Sequence, residues 1–118
     1  MPCGNTHSMP APDVLSPRLG RVASRTRRRD GWREISVPCT CANGLSFDVI
    51  VGEDSECWPK TNKGPWSHVE VIGLNRTLRS LDRYRYTAGD GVMGAVKHHR
   101  VPIVDLNRLI ARNGGLVI

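Results

Sequence analysis

Two alternating segments flank an Asn-Gly pair near the middle of this 118-residue chain. Trp32–Val37 and Leu45–Val51 alternate apolar and polar side chains, as half-buried β-strands do. Asn43-Gly44 between them supplies the positive φ angles that a tight hairpin turn requires. The pattern predicts a β-hairpin over residues 32–51, with an inward face formed by Ile35, Val37, Leu45, Phe47, Val49 and Val51.

The chain from residue 68 onward is its best-patterned part, and it opens with an ambiguous segment. As a strand, residues 68–74 place Val69 and Val71 on one side. As a helix, they continue into residues 75–84. The β-branched content of the segment favours the strand.

Leucines recur at helical spacing in the next segment. Leu74, Leu78 and Leu81 stand at i, i+4 and i+7, which predicts an apolar stripe on a helix over residues 75–86. A second face of this predicted helix carries arginines, namely Arg76, Arg79 and Arg83.

Two more helices are expected before the C-terminus. Residues 87–90 have the form of a capping box and predict a helix reaching Val96, weakened by three glycines. A better helix follows Pro102 and ends at Asn113-Gly114-Gly115, with an apolar face of Leu106, Leu109 and Ile110. Residues 116–118 read as a last short strand.

Residues 1–31 contrast with this patterned region. Four prolines interrupt them, and their apolar residues are too few and too scattered to form a core. We expect a flexible, arginine-rich arm over 1–31 and a single small domain over 32–118. The expected fold class is α+β: the β-hairpin, a third strand and two or three C-terminal helices, preceded by the disordered basic arm.

The net charge of +6 is unevenly distributed along the chain. Residues 1–33 carry +5, residues 34–75 carry −4 and residues 76–112 carry +5. Fourteen of the seventeen basic residues are Arg, whose planar guanidinium makes forked contacts with phosphate. This distribution favours a nucleic-acid-binding protein, although an arginine-biased genome would produce the same surface.

The composition also bears on location. No apolar run approaches the roughly 18 residues of a membrane span, and the first residues lack the apolar core, about 7–15 residues long, of a secretory signal. We expect no membrane association and a cytoplasmic protein, or one in the host cytoplasm if the source is viral, with reduced cysteines. An organelle transit peptide is the alternative for the acid-poor start.

Residues 71–84 resemble the helix-turn-helix of Fis-type bacterial DNA-binding proteins. That family commonly reads Leu-Gly-Leu-Asn-Arg, then Thr-Leu-Arg and Leu-Asp-Arg-Tyr. The resemblance implies that Asn75, Arg76 and Arg79 lie at the DNA, with Leu78 and Leu81 in the core. A looser resemblance to excisionase-type winged helices covers Arg-Thr-Leu-Arg at 76–79 and residues 104–111.

A metal site and an active site are weaker hypotheses. Zinc is considered because cysteine and histidine are its usual ligands, here Cys39, Cys41, Cys57 and His68, although the single-residue gap between the first two cysteines is unusual. His98-His99 with Asp90 and Asp105 suggests acid–base work on a phosphodiester. We expect neither a metal cofactor nor catalysis.

We therefore expect a small nucleic-acid-binding protein, a DNA-binding regulator or accessory factor from a bacterium, phage or mobile element. The candidate contacts with DNA or RNA are Asn75, Arg76, Arg79, Arg83, Arg108 and Arg112 in the domain, and Arg25, Arg27, Arg28 and Arg29 in the arm. The alternatives are a protein-interaction module that inhibits a host factor through the acidic loop of residues 52–58 or through Trp58 and Trp66, and a component of a nucleoprotein or virion assembly. The oligomeric state stays open.

Overall fold

A computed structural model describes residues 11–25, 34–87 and 96–117. Two α-helices and one 3₁₀ helix lie among them: α1 (Leu15–Arg25), the 3₁₀ helix (Arg79–Tyr84) and α2 (Ile103–Arg112). The strands are β1 (Ile35–Cys41), β2 (Ser46–Val51), β3 (His68–Ile72), β4 (Arg85–Thr87), β5 (Val96–Pro102) and β6 (Leu116–Val117).

The six strands form one sheet in the order β4-β5-β3-β2-β1-β6. Every neighbouring pair is antiparallel. The first three strands follow one another across the sheet, β5 adds beside β3, and β4 forms the outer edge next to β5. The last strand returns to the opposite edge, beside β1.

The hairpin, the third strand, the helix after Pro102 and the last short strand are the parts of the predicted architecture that the structure contains. Strands β1 and β2 pair with Val37 opposite Val49, and Gly44 in the turn adopts a φ of +94°. A φ in this range is accessible to glycine at little cost. Segment 68–74 is resolved in favour of a strand, because Val71 pairs with Val49 of β2.

The expected helix-rich C-terminal half is wrong. Residues 75–78 form a loop, and the only helical turn in 75–86 is the six-residue 3₁₀ helix. The stretch that resembles a helix-turn-helix thus runs from the end of β3 through this loop into the 3₁₀ helix. Val96, where a second helix was expected to end, begins β5 instead, and residues 88–95 lie outside the described part of the chain. Among the described residues, α2 is the one predicted C-terminal helix that forms.

The spacing of Leu74, Leu78 and Leu81 does not reflect an α-helix. Leu81 is buried in the core, and Leu74 and Leu78 pack against it from the loop. Leu78 itself has an extended backbone, with φ −126° and ψ 115°. Burial of the three leucines therefore does not need an α-helix. The hydrogen bonds of Asn75, described below, hold the residues before the 3₁₀ helix in an extended conformation.

The expected disordered arm is also wrong for residues 15–25, which form α1. Leu15 and Leu19 are fully buried in the same core as the strands, and Val22 packs against it. Pro17 is the third residue of the helix, where its missing N–H costs nothing because the first-turn N–H groups have no helical partner. Residues 1–10 and 26–31 lie outside the described residues.

The core lies on one face of the sheet. In β1, every second residue is buried, and the facing residues of β2 and β3 continue the apolar surface. Helices α1 and α2 supply the other side of the core through Leu15, Leu19, Leu106, Leu109 and Ile110.

The connection between β2 and β3 is fixed to the strands by its backbone. The Glu56 N–H donates to the buried Glu70 carboxylate at 2.9 Å, and the Glu56 carbonyl accepts from the Arg100 N–H at 3.0 Å. Arg100 has a φ of +52°, which a non-glycine side chain seldom adopts, and it lies where the β3–β5 register shifts. A β-bulge accommodates such a residue.

The described part of the chain also bears on membrane association. Within residues 11–25, 34–87 and 96–117, none of the helices has the length and apolar content needed to span a bilayer.

Helix α1 is attached to α2 through the buried side chain of Asn107. Its Oδ1 atom accepts from the N–H groups of Val14 and Leu15, each at 3.2 Å, and its Nδ2 atom donates to Asp13 at 3.0 Å. Asp13 also accepts from the Ser16 N–H at 2.9 Å, as an N-terminal helix cap does. Burial alone would raise the pKa of Asp13, but the hydrogen bonds from Ser16, Asn107 and Leu15 lower it overall.

We predict that Asn107→Ala destabilises the protein by roughly 2–3 kcal/mol, because it leaves the buried N–H of Leu15 without its acceptor. Val104→Ala is the matched control on the same helix, since Val104 is exposed. Urea unfolding of the two variants measures the difference. Equal midpoints for Asn107→Ala and the control would show that α1 does not depend on this contact.

Candidate functional site

A cleft of about 600 Å³ opens where β3 ends and the chain turns toward the 3₁₀ helix. Its walls come from the end of β3, the loop of residues 73–78 and the paired ends of β4 and β5. This volume is within the range of small-molecule sites, roughly 300–1,000 Å³. The described residues that line it are Ile72, Gly73, Leu74, Asn75, Arg76, Thr77, Leu78, Asp82, Arg85, Val96, Lys97 and His98.

Asn75 fixes the loop that forms one wall of the cleft. Its Oδ1 atom accepts from the Ser46 N–H at 3.0 Å, and its Nδ2 atom donates to the Gly44 carbonyl at 2.9 Å. Its own N–H donates to the Ser46 carbonyl at 3.2 Å. An asparagine whose side chain and backbone both bond to a neighbouring turn is held out of a helix. Asn75 therefore holds the wall of the cleft in place.

Positive charge predominates around the cleft. Among its described lining residues, Arg76 and Arg85 are cationic and Asp82 is acidic. Lys97 also borders the cleft, but strand alternation directs its side chain to the face opposite Arg85 and His98. Arg76 is exposed and makes a long contact of 3.4 Å with the Asn43 carbonyl. A concave surface of one predominant charge concentrates the field, so the cleft attracts anions.

His98 is the most deeply buried titratable group of the cleft. Only 6% of the residue is exposed, and within the described part of the chain its Nδ1 atom is buried without a hydrogen-bond partner. Burial lowers the pKa of His98, the positive charge of Arg85 opposite it lowers it further, and the Val71 backbone and Asp82 act in the other direction. The ring is therefore neutral at pH 7.

An aromatic pair lies on the same two strands. The rings of Tyr86 and His99 stack with centroids 4.5 Å apart and an interplanar angle of 17°. Tyr86 is half exposed and pairs with Lys97 across β4 and β5. Because alternate strand residues point to opposite faces, this pair lies on the other side of the sheet from Arg85 and His98. The ring surface and the cleft therefore lie on opposite faces of the same edge of the sheet, and Lys97 shares the face of the rings.

The predicted binding residues are only partly brought together. Asn75 and Arg76 line the cleft. Arg79 and Arg83 are exposed on the 3₁₀ helix, where the Arg83 guanidinium lies 5.8 Å from the Tyr84 ring centroid.

The remaining predicted arginines lie elsewhere. Arg108 pairs with Asp105 at 3.6 Å on α2, and Arg112 is exposed at the end of that helix. Arg25 is the last residue of α1, and its side chain is outside the described part of the structure. Arg27, Arg28 and Arg29 also lie outside the described residues.

The two tryptophans of the alternative interaction surface differ in environment. Trp66 is buried in the core and its indole N–H donates to the Thr61 carbonyl at 3.0 Å. Trp58 is 54% exposed, while its backbone bonds to His68 and Ser67. The structure therefore does not present them as a pair.

The residues considered for zinc are not assembled into a site. Within the described ranges, no group of three or more His, Cys, Asp or Glu side chains could hold a metal ion. Cys39, Cys41 and Cys57 are buried free thiols, and His68 Nδ1 lies 2.7 Å from the Ser67 hydroxyl. Burial raises the pKa of the Cys39 thiol to about 11, although Arg18 opposes the shift, so this thiol stays protonated.

The acid–base residues considered from the sequence are separated as well. His98 and His99 point to opposite faces of β5, and Asp105 accepts a hydrogen bond from the Tyr84 hydroxyl at 2.5 Å. Asp90 lies outside the described residues.

The sequence did not predict that Arg85, Tyr86 and Lys97 belong to the candidate site, or that His98 pairs with Arg85. Residues 85–102 were expected to be helical or to connect other elements. The signal in residues 96–102 is the β-branched pair Val96 and Val101, and this segment forms a seven-residue strand. Even with that strand assigned, the pairing of Arg85 with His98 depends on a contact across thirteen positions.

Comparison with known proteins adds no relative. The sequence matches no protein-family model, and neither the curated proteins nor the solved structures compared with it give a match.

We predict that His98 titrates below its ordinary pKa of 6.5. The unfolded chain then binds the proton more readily, so the stabilising contribution of the neutral ring is full above pH 6.5 and is lost as the pH falls toward the folded-state pKa. An NMR titration of the ring measures the pKa, and urea unfolding at about pH 7.5 and about pH 5.5 measures the stability. His98→Asn should flatten the pH dependence of stability over this window. A His98 pKa at or above the ordinary value would contradict the buried, cation-flanked environment.

Proposed function

We propose that the protein binds single-stranded nucleic acid at the β4–β5 edge of its sheet. The observation that carries the proposal is the exposed Tyr86–His99 stack, which has Lys97 on its own face of this edge and the cationic cleft on the other. Phosphates of the strand would lie against the cationic residues of the cleft, and a base would stack on Tyr86.

The charges of the cleft support the phosphate part of the proposal. Arg76 and Arg85 lie on the cleft side of this edge, and Lys97 lies beside Tyr86 on the other face. Neutralising phosphates with Lys and Arg supplies most of the affinity of non-specific nucleic-acid binding and releases counterions. The overall charge of +6 acts in the same direction by attracting polyanions at long range.

The aromatic pair supports a single strand rather than a duplex. Half of Tyr86 is exposed, and His99 supports its ring from one side. A base can stack on such a ring only when it is unpaired, and each stacked base contributes about 1–3 kcal/mol. Duplex reading usually requires a helix or ribbon that enters a groove, and the arginine-lined helix expected for that role does not form.

Fluorescence anisotropy with a labelled single strand and the matching duplex, at roughly 50 and 200 mM salt, tests the proposal. We expect the single strand to bind more tightly and to lose at least about tenfold in affinity between the two salt concentrations. Tyr86→Ala should weaken binding by roughly five- to one-hundredfold through lost stacking. Arg85→Ala should weaken it and reduce the salt dependence.

Lys63→Ala is the control, because it removes one positive charge from the exposed β2–β3 connection, away from the residues that line the cleft. The full chain is used for every variant, so the contribution of the basic N-terminal residues is the same throughout. If Lys63→Ala weakens binding as much as Arg85→Ala, or if the duplex binds as tightly as the single strand, the β4–β5 edge is not the site.

A further inference from the structure

We propose that Trp58 is a second stacking platform for a bound single strand, on the same face of the sheet as the Tyr86–His99 pair. The inference rests on the proposed function, which supplies the strand. It adds a base-binding residue far from the β4–β5 edge, and it gives the strand a direction across the sheet, from β4 toward the β2–β3 connection.

The exposure of its ring distinguishes Trp58 from most aromatic residues of the described chain. Phe47 and Trp66 are buried, and Tyr84 is half-buried. Trp58 and Tyr86, in contrast, are 54% and 50% exposed. A large ring that the fold leaves uncovered offers flat apolar area for a stacking ligand.

Backbone pairing sets the direction of the Trp58 side chain. Its N–H donates to the His68 carbonyl at 2.9 Å, and its carbonyl accepts from the His68 N–H at 3.2 Å. These bonds form an antiparallel bridge, in which the side chains of paired residues lie on the same face. Val69, the next residue after His68, is buried in the core. Trp58 and His68 therefore lie on the outer face of the sheet, opposite the core.

Tyr86 lies on that outer face as well. It pairs with Lys97, and Lys97 pairs with Ile72 of β3. Since Ile72 follows the core residue Val71, strand alternation directs all three paired side chains away from the core. The two exposed aromatic rings of the preceding comparison therefore share one face of the sheet.

The sheet register gives the distance between the two platforms. Trp58 lies beside β3 on the β2 side, because β5 occupies the other side of His68. Tyr86 lies two strands beyond β3, and its register position on β3 is Ile72, four residues from His68. With strands roughly 4.8 Å apart and residues roughly 3.3 Å apart along them, the two α-carbons are separated by roughly 20 Å. A strand of several nucleotides is needed to contact both rings.

The charges near Trp58 balance one another. Glu56 pairs with Arg100 at 3.5 Å and with Lys60 at 3.6 Å, and its N–H donates to the buried Glu70 carboxylate. Two positive and two negative side chains thus lie between the platforms, so this part of the face attracts phosphate weakly. Stacking, which involves no net charge, has to supply the affinity at Trp58. The contribution of Trp58 should therefore be independent of salt.

Fluorescence anisotropy with a labelled single strand of about twelve nucleotides tests the proposal, because stacking modules cover about 4–16 nucleotides. We expect Trp58→Ala to weaken binding by roughly five- to one-hundredfold and to leave the salt dependence between roughly 50 and 200 mM unchanged. Trp58→Phe should retain most of the affinity, since a phenyl ring also stacks. Val104→Ala is the matched control, because Val104 is equally exposed, at 53%, but lies on α2. It should not change binding.

A second readout uses the unaltered chain and does not depend on how a variant folds. Adding the strand should shift the indole N–H resonance of Trp58 in an NMR spectrum. The resonance of Trp66 should stay in place, because its ring is buried and its N–H donates to the Thr61 carbonyl. Trp58→Phe assigns the signal, since it removes that resonance alone.

The outcomes separate this inference from the proposed function. If the strand binds Trp58→Ala as tightly as the unaltered chain and the Trp58 resonance does not move, the second platform is overturned and strand binding at the β4–β5 edge stands. Weaker binding by Trp58→Ala with an unmoved resonance, or an equal loss in Trp58→Phe, would show that Trp58 supports the connection and does not stack, which also overturns the platform. If no single strand binds the unaltered chain, both proposals fail.

Discussion

One face of the antiparallel sheet is apolar from β1 to β3, and it must be kept from water. Helices α1 and α2 and the 3₁₀ helix cover it, with Leu19, Leu81 and Leu106 each fully or almost fully buried. Burial of this kind contributes about 25 cal/mol per Å² of apolar surface. The N-terminal helix is therefore part of the folded domain, because without it the β1 side of the core would lose Leu15 and Leu19.

The cleft lies where the part of the chain that covers the apolar face of the sheet ends. Asn75 ties the chain leaving β3 to the hairpin turn, so residues 73–78 run extended before the 3₁₀ helix begins. The sheet continues past this loop through β5 and β4, which brings Arg85 and His98 to the same place. Polar and apolar groups meet there, and His98 remains buried between strand and loop. A site of this kind depends on the sheet order and not on a continuous sequence motif.

Local patterns identified the elements whose cause is local. The Asn43-Gly44 turn, the alternation of β1 and β2, and the apolar face of α2 each lie within a few residues of chain, and all three form. The arginine-rich helix was wrong because the leucine spacing is equally compatible with a loop and a 3₁₀ helix. The expected disordered arm was wrong at α1. Two leucines, Leu15 and Leu19, do not by themselves indicate a core, because their packing partners come from α2 and the sheet.

Residue order and composition determine the hairpin, helix α2 and the excess of arginine. Turn conformation, side-chain periodicity and charge are properties of short segments. The site required long-range pairing. Asn107 meets Leu15 across 92 positions, and Asn75 meets Ser46 across 29. Contacts over such distances depend on which strands neighbour one another, and periodicity along the chain does not contain that information. The cleft and its buried histidine therefore arise from the folded arrangement of the sheet.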